Sequence, residues 1–458
     1  MKLRTLLPAL LALIAFGQTQ RPIQLADILA WKRIQAPAVS DNGEWFAYRL
    51  APSEGDAEVV VRNLTTGKEQ RFPIGDPGAA APAPTDGPPG PPPLAIAAGG
   101  ASPAFSGDSR WVAFLAYPTE KEAKRLKQTK RPIHAKAVLV ELATGKKTEF
   151  EKTRRFAFSG EKSTAIALQR YGPEGPPTPP PAAAAAAAGA SGTPAVERPS
   201  GSDLLLYDLA AGNELNLGNV SEFAFDKHGD WMAWLVDAQD KAGNGVSLRN
   251  MSTGAVQNLD HAQAVYKGLS WNEKGTGLAA VRGMDDKAFE DKLYTLVAFR
   301  DFGSSSGPSK TVYDPKSDQS FPAGMTISAT RNPSWRDDLS AVTFGIHEVK
   351  PKKNAKDAAA PNNGPTDGEE KDAPAAAPRP PAPPEEPKPD LVIWHWKDPR
   401  LQSMQQVQEN ADKNFSYLSV WRPADQKFVR LADESVRQVT LAPAQKYGVG
   451  VDVREYEL

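Results

Sequence analysis

The sequence of 458 residues contains no cysteine. That excludes disulfides, thiolate metal sites, a cysteine nucleophile and a lipid-modified N-terminal cysteine. It also has almost no net charge: 54 Lys and Arg stand against 55 Asp and Glu, so the basic footprint of a nucleic-acid partner is missing. Histidine is scarce, with five positions (His134, His228, His261, His347 and His395). None is spaced for a metal site or a catalytic triad, and there is no HExxH helix, P-loop or dinucleotide fingerprint; the sequence predicts no cofactor and no metal. Long apolar runs are missing except for Leu6 to Phe16, behind Lys2 and Arg4 and ahead of Ala15-Phe16-Gly17. That run is too short to span a bilayer and reads as a signal peptide over 1–17, giving a periplasmic or secreted chain with no stable membrane insertion after cleavage.

Proline is present in excess, with 42 residues, beside a modest hydrophobic share of 40%. Both trace largely to three segments, 75–101, 172–200 and 350–389, rich in Pro and Ala. Such composition cannot bury enough apolar surface to offset its ordering entropy, so the three are expected to be disordered insertions at permissive loops.

With these set aside, a repeat emerges. Seven gapless windows align: Pro37 to Leu50, Pro103 to Ala116, Phe156 to Gln169, Phe223 to Val236, Leu269 to Arg282, Pro333 to Ile346 and Val439 to Asp452. Each holds a short apolar stretch, a polar turn and a second apolar stretch with period-2 alternation, the pattern of a β-hairpin. Most are followed by another alternating strand and a turn ending in Gly67, Gly145, Gly212 or Gly254, where glycine permits a positive φ. Hairpin plus hairpin makes a four-stranded antiparallel unit. Such units every 45–65 residues or so predict an all-β fold, a β-propeller of about seven four-stranded blades over 18–458. The first insertion then falls between blades one and two, and the others between the hairpins of blades three and six. Blade six is irregular, with strand-like pieces from Asp390 and from Asn414 around a Gln-rich stretch. Blade seven shows only its first hairpin before Leu458, so the last blade is expected to be incomplete and the chain to be the front part of a longer polypeptide.

The segment LADILAWKRIQAPAVSDNGEWFAYRL, Leu25 to Leu50, resembles the opening of secreted members of the prolyl oligopeptidase family of serine peptidases, in which a short helix precedes the first blade. VIWHWKDPRLQSMQQVQ (Val392 to Gln408) and VDVREYEL (Val451 to Leu458) resemble segments of large bacterial members. The blade wording itself is shared with TolB-like and other WD40-like propellers. The resemblance implies a propeller that admits short peptides to a triad carried by a following C-terminal α/β-hydrolase domain. It also implies that the charged end, Arg454, Glu455 and Glu457, is a candidate to hold a substrate's free amino terminus, as acidic pairs do in dipeptidyl-peptidase relatives; an ordinary charged strand end is the plainer account. No catalytic residue is expected in this chain. Gly303-Ser304-Ser305-Ser306-Gly307 satisfies the G-x-S-x-G expression, but the residues after Gly307 do not open a helix, so Ser305 is read as part of a flexible turn. The rival reading is a stand-alone TolB-like propeller that binds another envelope protein.

Overall fold

The computed structural model describes residues 22–75, 102–172, 199–352 and 400–452, apart from 26, 28–30, 53–54 and 444. The expected signal peptide, most of each insertion, His395 and the 454–457 stretch therefore lie outside the described residues. Among the described residues, no helix is long and apolar enough to cross a membrane.

Each of the seven windows forms an antiparallel strand pair, and most belong to a four-stranded unit. The first unit is β1 (Arg33–Val39), β2 (Trp45–Ala51), β3 (Ala57–Asn63) and β4 (Glu69–Gly75). The second is β5 (Ala104–Phe105), β6 (Trp111–Ala116), β7 (Lys136–Glu141) and β8 (Lys147–Phe150), with helix α1 (Glu120–Gln128) between β6 and β7. Units three and four merge into one seven-stranded sheet: β9 (Thr153–Phe158), β10 (Ala165–Arg170), β11 (Ser202–Asp208), β12 (Glu214–Phe225), β13 (Trp231–Val236), β14 (Gly245–Asn250) and β15 (Val256–His261). β12 serves both: its first half closes unit three, its second half opens unit four, and the register shifts between Val220 and Glu222.

The fifth unit is β16 (Val265–Trp271), β17 (Gly277–Met284), β18 (Leu293–Arg300) and β19 (Ser309–Tyr313). The sixth combines β20 (Met325–Ile327) and β21 (Ser334–Trp335), both paired with β22 (Val342–Glu348), then β23 (Tyr417–Arg422) and β24 (Lys427–Arg430). The Gln-rich stretch ahead of β23 is a helix, α2 (Gln402–Lys413). A two-stranded sheet of β25 (Gln438–Leu441) and β26 (Gly448–Val451) ends the described chain.

Five apolar clusters lie between successive units. Val59 and Ile74 meet Phe114 and Val140 between the first two. Leu139 meets Phe156 and Leu168 at the next interface, and Ala167 and Leu204 meet Phe225 and Trp234 at the third. Leu248 meets Trp271 and Phe299 at the fourth, and Val281 meets Trp335 and Phe344 at the fifth. A half-buried sheet cannot stand alone; stacking face to face is what buries both sides, and this is the packing of propeller blades. Strands β1 and β5, β9 and β12, β12 and β16, and β16 and β21 touch across these interfaces, which makes the first strand of each unit its inner strand.

The recurring turn residues have one job. Ser40 Oγ accepts the Trp45 N–H (3.0 Å) and Ser106 Oγ that of Trp111 (2.9 Å), while Ser159 Oγ accepts that of Ala165 (2.9 Å). Asp226 and Asn272 do the same for Trp231 (2.7 Å) and Gly277 (2.9 Å). These oxygens satisfy amides that a tight turn otherwise strands. In the last window Ala442 has no such oxygen, and the described turn is held by backbone bonds, from the Ala442 N–H to the Tyr447 carbonyl (2.9 Å) and from the Gln445 N–H to the Ala442 carbonyl (2.7 Å). The glycines expected at positive φ, Gly67, Gly145, Gly212 and Gly254, have φ of 71–75°.

Candidate functional site

The inner strands are not regular. Register shifts interrupt β1 between Gln35 and Ala38, β12 between Val220 and Glu222, and β16 between Lys267 and Ser270; the pairing of β9 with β10 skips Arg154. Beside them Ala36, Lys152, Asn219 and Gly268 have φ of 49, 53, 56 and 72°. A bulge bends a strand and re-aims its side chains, and bulges gather beside binding sites. Here they create a polar tier built from Gln35, Arg154, Arg155, Glu222 and Lys267, with Arg49 and Gln169 arriving from the second strands.

Bonds within this tier run both inside a blade and from one blade to the next. Arg49 Nη2 donates to Gln35 Oε1. Gln169 is fully buried and its amide donates to the Val220 carbonyl (2.8 Å) on the next blade, while Arg154 Nη2 donates to its Oε1 (3.3 Å). Both Glu222 oxygens accept backbone amides of the following blade, from Gly268 (3.1 Å) and Leu269 (2.9 Å). The Arg155 guanidinium lies 4.5 Å over the Phe223 ring. Burial lowers the pKa of Arg155, against a counteracting pull from Glu222, and neighbouring Arg154 lowers it further. Arg331, ahead of β21, is likewise lowered by burial and donates from Nε to Ser416 Oγ (3.2 Å). The tier can hold polar and anionic groups; it contains no described nucleophile with a base.

Strand alternation sorts the loops onto two faces. First-to-second and third-to-fourth strand connections share one face and are tight turns; the other connections share the opposite face. All three insertions fall among the latter, as does α1. On the tight face neighbouring turns interlock: Asn42 N–H donates to Ser109 Oγ (3.1 Å), Gly107 N–H to Ser163 Oγ (2.7 Å) and Glu161 N–H to the Lys227 carbonyl (2.8 Å).

On the long-loop face the insertion edges are held. Ser200 donates through N–H and Oγ to Asp237 (both 2.7 Å), and Lys350 and Lys352 exchange backbone bonds with Glu290 and Ala288 (both 2.8 Å). A pocket of about 390 Å³ opens here between Pro199, Asp237, Lys241 and Asp285.

Lys241 and Lys292 each lie 2.6 Å from Asp285 and hold its carboxyl down to about 2. A folded-state pKa below the unfolded one stabilises the fold above the unfolded value, and that contribution is lost as pH falls through about 2. Because the Asp285 side chain is 65% exposed, screening keeps the effect small. Asp285→Asn is expected to cost less than about 1 kcal/mol at neutral pH, with the deficit shrinking as urea unfolding is repeated at falling pH.

Ser305 sits in an exposed turn between β18 and β19, flanked by a Ser304–Ser306 hydroxyl contact of 2.8 Å, and β19 rather than a helix follows. The described histidines are dispersed. His134 packs 4.4 Å from the Tyr171 ring, and His228 Nδ1 contacts Glu161 (2.9 Å) in the interlocked turns. His261 ends β15, and His347 in β22 is lowered in pKa by burial. No described cluster of three or more His, Cys, Asp or Glu could hold a metal.

The candidate amine-binding residues Arg454, Glu455 and Glu457 lie outside the described residues. Sequence reading missed the bulged tier altogether. Its one visible signal is the adjacent pair Arg154-Arg155 ahead of an apolar strand.

No protein-family model matches the chain, and no curated protein matches it in sequence. Similar solved structures include the β-propeller domain of the Trilobed protease from Pyrococcus furiosus, at 11% identity and a TM-score of 0.34, over 70% of this chain and 84% of that one. A prolyl endopeptidase structure is 12% identical with a TM-score of 0.32, over 71% of this chain and 43% of its own. TolB from Acinetobacter baumannii is 13% identical with a TM-score of 0.26, over 59% and 52%. This chain thus spans about half the length of the latter two. The propeller assignment rests on the sheet pairing and interblade packing described above.

Proposed function

We propose that the chain is a secreted or periplasmic propeller that admits and positions short peptides, as the non-catalytic part of a prolyl-oligopeptidase-like serine peptidase whose triad is carried by an α/β-hydrolase domain. The observation that carries this reading is a polar, bulged inner tier whose described residues offer hydrogen-bonding and charged groups to a polar chain. Positioning of this kind contributes to catalysis by converting an encounter into a held geometry. The resemblance of Leu25 to Leu50 supplies the link to the peptidases, and Arg454, Glu455 and Glu457 remain candidates for a substrate's amino terminus.

The purified chain is expected to bind short peptides and to show no phosphonate-sensitive turnover of peptide p-nitroanilides. Turnover abolished by a serine-directed phosphonate overturns the assignment. The second reading, a stand-alone scaffold, is favoured by one feature: Lys121, Lys127, Lys130 and Arg131, exposed along and just after α1. It requires capture of an acidic protein partner and no preference for short peptides.

A further inference from the structure

Charge is balanced over the whole chain, with 54 Lys and Arg against 55 Asp and Glu, but not along its inner strands. Over β1, β5, β9, the second half of β12, β16 and the 325–335 stretch of β20 and β21, the cations are Arg33, Arg154, Arg155, Lys267 and Arg331, and the sole carboxylate is Glu222. Glu222 is the carboxylate whose charge reaches Arg155, so those two offset each other. The other four cations stand in no ion pair among the described residues. Arg154 donates to the Gln169 amide oxygen (3.3 Å) and Arg331 to the Ser416 hydroxyl (3.2 Å), both neutral acceptors. Burial does not hide the four: Arg33, Arg154 and Lys267 are exposed and Arg331 is half-buried. Arg154 and Lys267 lie at the register shifts of β9 and β16, where a bulge re-aims side chains out of the packed faces. Cations gathered along one wall repel one another, and low-dielectric walls focus their field, which raises the local concentration and the on-rate of anions.

We propose that the inner tier selects acidic peptides, drawing in their carboxylates through the field of Arg33, Arg154, Lys267 and Arg331 and contacting them through the exposed pair Arg154 and Lys267. Arg154 offers a fork of N–H donors and Lys267 a compact ammonium charge. That the ligand is a peptide rests on the reading above; that it is anionic rests on the charge of the inner strands alone.

The test is calorimetric titration of the full chain with three blocked tetrapeptide amides and citrate. The tetrapeptides are alike except for a central pair of glutamates, glutamines or lysines. The glutamate peptide is expected to bind at least about tenfold more tightly than the glutamine one at low salt, and the lysine peptide more weakly than either. Raising the salt from about 0.01 M to about 1 M shortens the screening length from about 30 Å to about 3 Å and is expected to erase most of the preference. Arg154→Gln and Lys267→Gln, both at exposed positions, are each expected to lower the preference about threefold, and the double variant to leave little of it. Lys121→Gln combined with Lys127→Gln, on α1, is expected to leave it unchanged.

Equal binding of the glutamate and glutamine peptides, or a preference that survives the double variant, overturns the selection while leaving a peptide-binding propeller. A preference lost with the α1 pair instead overturns the assignment to the inner tier. Citrate binding that depends on Arg154 and Lys267, with no peptide bound, upholds the selection of anions and overturns the peptide reading; silence of all four probes overturns both.

Discussion

Gly229→Ala is expected to destabilise the protein by about 3 kcal/mol or more, read as a lowered urea midpoint at unchanged slope. Gly229 ends the turn between β12 and β13 at φ 79°. A Cβ there would collide with the Ser159 carbonyl of the preceding blade. Two penalties therefore add: left-handed backbone for an L-residue, about 1–2 kcal/mol, and a backbone-to-backbone overlap that no rotamer relieves. Gly43 occupies the equivalent place in the first blade at φ 71°, and a Cβ there would meet nothing within 4 Å. Gly43→Ala is expected to lose only the conformational share. Equal losses at both positions would show that the interlocked turns carry no load.

Trp335→Ala is expected to cost about 4 kcal/mol and to leave a protein that unfolds first around its fifth and sixth blades. The Trp335 ring is 1% exposed within the cluster that joins those blades. Its Nε1 donates to the Leu278 carbonyl across the interface (3.1 Å), and a side chain at Gly277 would strike the ring. Removal leaves a cavity with rigid sheet on both sides, which collapses poorly. Trp335→Phe keeps most of the volume and gives up the hydrogen bond, for about 1–2 kcal/mol. Thermal or urea unfolding of the pair separates packing from bonding. A small loss for the alanine variant would mean that the interface repacks.

The blades were legible because their turns are chemically fixed. A side-chain oxygen at Ser40, Ser106, Ser159, Asp226 or Asn272 must meet an amide on the far side of the turn. That requirement repeats along the chain and so can be read from it. Helix α1 left a signal that sequence reading passed over: Thr119 followed by Glu122, whose N–H bonds the Thr119 hydroxyl (3.4 Å), is a capping-box pair. Helix α2 was hidden by its setting beside a Pro-rich insertion, although Gln, Glu and Lys are good helix formers.

The bulged tier was not legible for a different reason. Alternation assigns faces only while register holds, and one extra residue reverses the assignment for every later side chain. Ala36, Lys152 and Asn219 adopt positive φ without the glycine that would announce it. Arg155 and Glu222 thus look in sequence like ordinary charged residues at strand edges.

The shared strand β12 has a mechanical meaning. Its twelve residues belong to two sheet halves at once, joined at a bulge where Asn219 has φ 56° and the register shifts. A tilt of the third blade therefore reaches the fourth through a single bulge in one strand rather than through a loop.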